Sequence, residues 1–177
     1  MAERLSQEAW LKAGFRALVA KGPEGIRIEP IARSLGATKG SFYWHFKDLA
    51  AFKAAMLAYW RDRSTQDIMD QADRIADPHE RLMGLIVLAL SIPEEVGGAE
   101  VEPAIRSWAR SSSDVAAALA DVDASRIAYV QDCFAQLGQT DGTAGRVFYS
   151  AYVGGEMIGH TGLPQSADLM HLLEALT

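Results

Sequence analysis

The sequence predicts an all-α fold, on three observations. Apolar residues recur at steps of three and four along most of the chain. No stretch of useful length alternates apolar with polar residues, and glycines and prolines stand mostly where the periodic segments end. With 177 residues, 49% of them hydrophobic, the chain can bury a core of its own. Its single cysteine, Cys133, excludes an intramolecular disulfide and a cysteine zinc cluster. The most apolar run, residues 82–90, is broken by Gly84 and is well short of the roughly 20 residues a membrane span needs. The first ten residues lack the apolar stretch of a signal peptide. A soluble, cytoplasmic protein without metal or cofactor is therefore expected.

The elements follow in order. Ser6 can cap a first helix with Glu8 in its opening turn and Leu11, Phe15 and Leu18 along its core stripe, and Gly22-Pro23 stops it. A short second helix spans about 28–35, with Pro30 tolerated in its first turn, Ile31 and Leu35 four apart, and Gly36 as terminator. Thr38 caps a third, which is expected to reach about residue 45.

From residue 47 a long helix carries Leu49, Phe52, Met56, Tyr59 and Arg63 along one side, with an expected end beyond residue 75. Asp77, Pro78 and Glu80 then form a start signal: a cap, a first-turn proline and the glutamate of a capping box. The helix that follows is apolar on nearly every side and should be central in the second part of the chain. Residues 92–103 read as a loop or broken helix, followed by a short helix with Ile105 and Trp108. A long helix over about 113–137 carries Val115, Leu119, Val122, Arg126, Val130, Phe134 and Leu137 and stops at Gly138. Helices over about 140–160 and from Gly162-Leu163-Pro164 onward complete about nine, without an internal repeat.

The net charge of -6 hides an asymmetry. Residues 1–63 hold five lysines and six arginines against six acids, a balance of +5, while the remainder holds six arginines and no lysine against seventeen acids, a balance of -11. A basic end on an acidic body is what binding to a polyanion needs.

The stretch TKGSFYWHF lies within that basic end. Wound at about 100° per residue, it places Phe42 and Phe46 within about 40° of each other, facing inward. Gly40, Ser41 and Trp44 then fall on the opposite face, with Tyr43 and His45 on the flanks. Such a face has no large aliphatic side chain and offers several donors, which suits docking in the DNA major groove. Lys39 and Lys47 supply charge at its ends, Ser41, Tyr43 and His45 can reach phosphates, and Trp44 can press on bases or sugars. With Arg27 and Thr38 these residues form the candidate DNA-contacting set, and the preceding helix, the Gly36 turn and small Ala32 suit a helix-turn-helix.

The segment GIRIEPIARSLGATKGSFYWHFKDLAAF resembles the N-terminal signature of the TetR, or tetracycline-repressor-like, transcriptional regulators, over residues from about 6 to 59. Pro30 stands where that family usually has a polar residue, and Trp44 occupies a variable reading position. The resemblance implies a DNA-binding domain over 1–46 and a helical ligand-binding and dimerisation domain over 47–177. It also implies Lys47 as a phosphate contact and a pendulum mechanism, in which a ligand in the second part shifts the long helix and weakens operator binding. An enzyme is not expected, because no carboxylate pair or nucleophile stands at a suggestive spacing beside His45, and His79, His160 and His171 form no ligand pattern with Cys133.

For the ligand, Trp60, Met83, Val87, Leu90, Trp108, Phe134 and Tyr152 are candidates to line an apolar cavity, with Arg106 or Glu156 as an orienting polar group. For a two-fold dimer, the small residues Ala144, Ala151, Gly155 and Gly159 form a stripe with Phe148 beside it, and the last helix adds Leu169, Leu172, Leu173 and Leu176. The expected function is thus a homodimeric, ligand-responsive repressor that binds a palindromic operator. The alternative is a helical ligand- or partner-binding protein that does not read DNA, which steep salt dependence would exclude.

Overall fold

The computed structural model describes residues 5–91, 98–158 and 165–177. Gly159 and His160, the Gly162-Leu163-Pro164 break and the 92–97 part of the expected loop lie outside them. The described residues are helical without a strand, in ten α segments: α1 Gln7–Lys21, α2 Ile28–Ser34, α3 Lys39–Tyr43, α4 Leu49–Arg61, α5 Asp67–Ala72, α6 Pro78–Ala89, α7 Val101–Ala109, α8 Ser113–Gln136, α9 Thr143–Ile158 and α10 Gln165–Leu176. A π turn, Asp62–Gln66, joins α4 and α5 without a break, so these ten segments amount to nine rods.

The caps explain where helices begin. Ser6, Thr38 and Asp77 each accept a backbone N–H from the third residue onward. Asp48 does the same for Ala51 at 2.8 Å. That last cap corrects the expected start at residue 47: α4 begins at Leu49, because Asp48 holds the non-helical position before it. Its rod ends at Ala72 rather than beyond 75, where Arg81 takes the carbonyls of Ile75 and Ala76 at 2.9 and 3.2 Å and turns the chain into α6.

By packing the chain forms two units, residues 1–60 with 93–116, and 61–92 with 117–177. This differs from a cut after residue 46. In the first unit α1 packs on α2 and also on α7, and Lys53 of α4 lies 5.6 Å from the Trp108 ring of α7. The first core is aromatic: Trp10, Phe15, Phe42 and Phe52 are fully buried. Gly14 lets α4 approach α1, since a Cβ there would meet Met56 and Phe52 at 2.7 Å. In the second unit, Leu82 and Ile86 of α6 meet Val130, Phe134, Phe148, Leu169 and Leu173, so α6 is central as its all-round apolarity predicts.

Candidate nucleic-acid interface and ligand cavity

The interface candidate is built on a tight turn. Gly36 has a φ of +62°, a left-handed conformation that glycine adopts at little cost, and the Ala37 N–H closes the end of α2 on the Ala32 carbonyl at 2.8 Å. Thr38 then starts α3, its hydroxyl accepting the Ser41 N–H at 3.2 Å. The helix stops at Tyr43 rather than 45, yet the Phe46 N–H still bonds the Phe42 carbonyl at 3.0 Å. That extra turn keeps the predicted pair facing inward, with Phe42 and Phe46 5.2 Å apart by ring centroid and both buried. Phe42 also meets Trp10 and Phe52 edge-on at 5.5 and 5.4 Å, which anchors α3 to α1 and α4.

Arg27, Thr38, Lys39, Gly40 and Lys47 are exposed, Ser41 and His45 half-buried, and Tyr43 and Trp44 are 50% and 77% exposed. Two aromatic rings held open to solvent above a rigid aromatic anchor are unusual for a side chain type that dominates cores. Gly40 has nothing but the Thr38 hydroxyl, at 3.7 Å, near where a Cβ would stand. The Lys39 ammonium pairs with Glu29 of α2 at 3.2 Å, with both groups largely solvated.

A cavity lies within the second unit, with a volume of about 50 Å³. Most of its wall is apolar: Ile68 and Met69 of α5, Leu85, Ile86 and Ala89 of α6, Val130 of α8, Phe148 and Tyr152 of α9, and Leu169 of α10. Its polar groups are Ser64 and Thr65 from the π turn, Tyr129 and the buried Arg126 from α8, and Tyr149 from α9. The Tyr129 hydroxyl donates to Asp73 at 2.7 Å. Burial first, and then that bond, push its ionisation well above the usual phenol value. Burial likewise raises the Cys133 thiol.

Of the residues expected to line a cavity, this one brings in Tyr152 alone. Trp60, Arg106 and Trp108 belong to the first unit, where Arg106 pairs with the buried Glu102 at 2.8 Å. Phe134 is fully buried in the second core, against which Met83 and Leu90 pack partly buried. Val87 is exposed, and Glu156 is buried on α9. Arg126, read in sequence as one step of an apolar stripe, is the residue the expectation missed. Its signal was a charge standing between Val122 and Val130 at core spacing.

The expected dimer residues are largely absorbed by the chain itself. Ala144, Phe148, Leu169 and Leu173 lie in the second core, and the Gln165 side chain fills the space above Gly155. Ala151, Leu172 and Leu176 are half-buried. The apolar groups that α9 leaves exposed are Val147, Met157 and Ile158. With Ala151 and the open Gly154, Val147 and Ile158 form a stripe at steps of four, three and four.

The first unit is therefore a helix-turn-helix module, followed by a separate helical unit with a cavity of its own. Residues 11–58 match the family model of bacterial regulatory proteins, tetR family. That match covers the N-terminal part of the chain, which is thus similar to the N-terminal domain of that family. No curated protein matches it. Among solved structures, a TetR-family regulator from Rhodococcus sp. is 23% identical, with a TM-score of 0.68 over 99% of this chain and 97% of that one. A transcriptional regulator from Rhodococcus sp. Rha1 is 20% identical, with a TM-score of 0.77 over 97% and 94%. A regulator from Saccharomonospora viridis in complex with choline is 17% identical, with a TM-score of 0.73 over 95% and 93%. At these identities the likeness is one of fold.

Proposed function

We propose that the chain is a cytoplasmic, homodimeric repressor whose residues 1–46 bind a palindromic operator, while residues 47–177 dimerise and sense a small, largely apolar molecule. The observation that carries the reading is the outer face of α3. Tyr43 and Trp44 stand open to solvent at a helix pinned from below by Phe42, and the cationic Arg27, Lys39 and Lys47 are exposed as well. In the major groove, Lys39, Lys47, Arg27 and the hydroxyls of Thr38, Ser41 and Tyr43 hold phosphates, His45 joins them, and Trp44 reads base edges or sugars.

The dimer forms through the α9 stripe at Val147, Ala151, Gly154 and Ile158, joined by Leu172 and Leu176 of α10, in the isologous contact that a palindromic site requires. The sensed molecule enters the second-unit cavity. At about 50 Å³ that cavity is far below the roughly 300–1,000 Å³ of ordinary ligand sites, so binding widens it. The Saccharomonospora viridis structure holds a small cation, choline. Here the guanidinium of Arg126 stands in the wall and disfavours a cation, which supports a neutral or acceptor-bearing ligand.

Selection from a pool of random duplex DNA with sequencing of the bound fraction tests the reading. It is run beside a Lys39→Ala, Tyr43→Phe variant at two salt concentrations. Enrichment of a palindrome, weaker in the variant and steeply salt-sensitive, is expected. Equal binding by both proteins without enrichment would sink the DNA-reading role and favour a protein partner.

A further inference from the structure

The rod that carries α4 and α5 contains one irregular turn, and a buried cation holds it. In the π turn Asp62–Gln66 the Asp67 N–H bonds the Asp62 carbonyl, five residues back, so the segment carries one residue more than an α turn would. Such turns have poorer hydrogen bonding than the α-helix and persist where neighbours hold them. Here the holder is Arg126. Its Nη2 donates to the Ser64 carbonyl at 3.0 Å and approaches the Ser64 hydroxyl at 3.3 Å, and its Nε donates to the Thr65 hydroxyl at 3.1 Å. Its Nη1 lies 3.5 Å from the Tyr149 hydroxyl, which donates to Asp123 at 2.6 Å. Arg126 is 8% exposed and Thr65 5%.

Ser64, Thr65, Arg126 and Tyr149 also line the cavity. The contacts that hold the π turn and most of the polar part of the cavity wall are thus the same four side chains. A molecule that widens the cavity moves the guanidinium or its partners, and the π turn loses its support.

We propose that Arg126 is the positioning residue that makes the 49–72 rod responsive to the cavity, by stabilising its π turn only while the cavity is closed. When the clamp opens, the extra residue passes into regular helix. The proposal rests on the reading of the first unit as DNA-binding and of the cavity as its sensor. Coupling is reciprocal, so occupation of DNA by the first unit must change the protection of the π turn even when no cavity ligand is known.

The experiment is hydrogen exchange read by mass spectrometry over residues 62–68 of the full chain, with and without the duplex enriched from random DNA. The wild type is compared with Arg126→Met, Arg126→Lys and a variant lacking the exposed Gln66, whose deletion removes the extra residue. In the wild type, bound duplex should change exchange in this segment at least fivefold. Arg126→Met should speed exchange in the free protein and abolish the difference, Arg126→Lys should restore part of it, and the deletion should exchange slowly in both states.

Duplex bound with exchange over 62–68 unaltered overturns the proposal alone. So does Arg126→Met behaving as the wild type. Failure to enrich any duplex overturns the DNA-binding reading, and the proposal falls with it. Should Arg126→Met fail to fold, the wild type and the deletion decide the matter by themselves.

Discussion

Substituting Gly40 by alanine separates what the chain needs to fold from what it needs to dock. The glycine lies in the first turn of α3, it is not among the glycines of positive φ, and a Cβ there would meet only the Thr38 hydroxyl at 3.7 Å, an ordinary contact. Nothing inside the molecule therefore opposes the methyl group. Alanine gains up to about 1 kcal/mol over glycine within a helix, and in a five-residue helix near its start about half of that is a fair expectation. Thermal or urea unfolding should show Gly40→Ala as stable as the wild type or more so, by roughly 0.5 kcal/mol. Operator affinity should move the other way. If the backbone of α3 approaches the groove at Gly40, the methyl group displaces a close contact, and a loss of about 1–3 kcal/mol, or roughly five- to 150-fold in Kd, follows. Fluorescence anisotropy on the selected duplex reads this directly. A variant that is more stable and binds DNA as tightly as the wild type would refute the docking geometry, although not the fold.

Three other outcomes can be checked on the same preparation. Phe42→Ala removes a fully buried ring that touches Trp10, Phe46 and, on α4, Phe52, and should cost about 3–5 kcal/mol in urea unfolding; a loss below 1 kcal/mol would mean that α3 is not anchored as described. Gly145→Ala puts a methyl group within 2.8 and 2.9 Å of the Gln131 Cα and backbone nitrogen, so α8 and α9 must part, and a loss of at least about 1 kcal/mol is expected despite alanine's better helix propensity. Burial raises both Cys133 and Tyr129 above their ordinary values of 9.0 and 10.0, so each contributes stability that is present below that value and is lost as pH climbs through the raised one. Unfolding free energy should therefore decline from about pH 9 upward, and Cys133→Ser with Tyr129→Phe should flatten that decline.

The helices were legible because their punctuation is local. Ser6, Thr38 and Asp77 announce the starts that they cap, and Gly36 and Gly138 close helices in the left-handed conformation that their identity suggests. The outer face of α3 was legible for a related reason: a five-residue helix and the turn that continues it settle which side chains share a side, and Phe42 and Phe46 both point inward. The cavity was not, because its wall is assembled from five helices and the π turn, and no spacing within one helix says which neighbour it will meet. Trp60 and Trp108 have the composition of a ligand site and the position of a first-unit core. On α9, Ala144 and Gly155 are small for the sake of packing within the chain, whereas Val147 and Ile158 are left outside, which spacing alone does not tell. Nor does any residue of 62–66 advertise a π turn, which owes its persistence to Arg126, some sixty residues further along the chain.

The exposed ion pair between Lys39 and Glu29 has a consequence for the proposed DNA-binding role, in how such a protein would search a chromosome. Under the proposed DNA-binding role, Lys39 must leave a carboxylate 3.2 Å away before it can hold a phosphate, so each encounter with DNA would begin against a small opposing pull. Phosphate contacts carry no sequence information, hence that pull weakens binding to all sequences by about the same factor. On a genome that offers ~10⁶ or more competing sites, holding down this indiscriminate affinity shortens the residence on wrong sites and leaves more protein free to find the right one. Glu29→Gln should accordingly tighten binding to random duplex as much as to operator, and a variant that looks better in the test tube should be slower to reach its target among unrelated DNA.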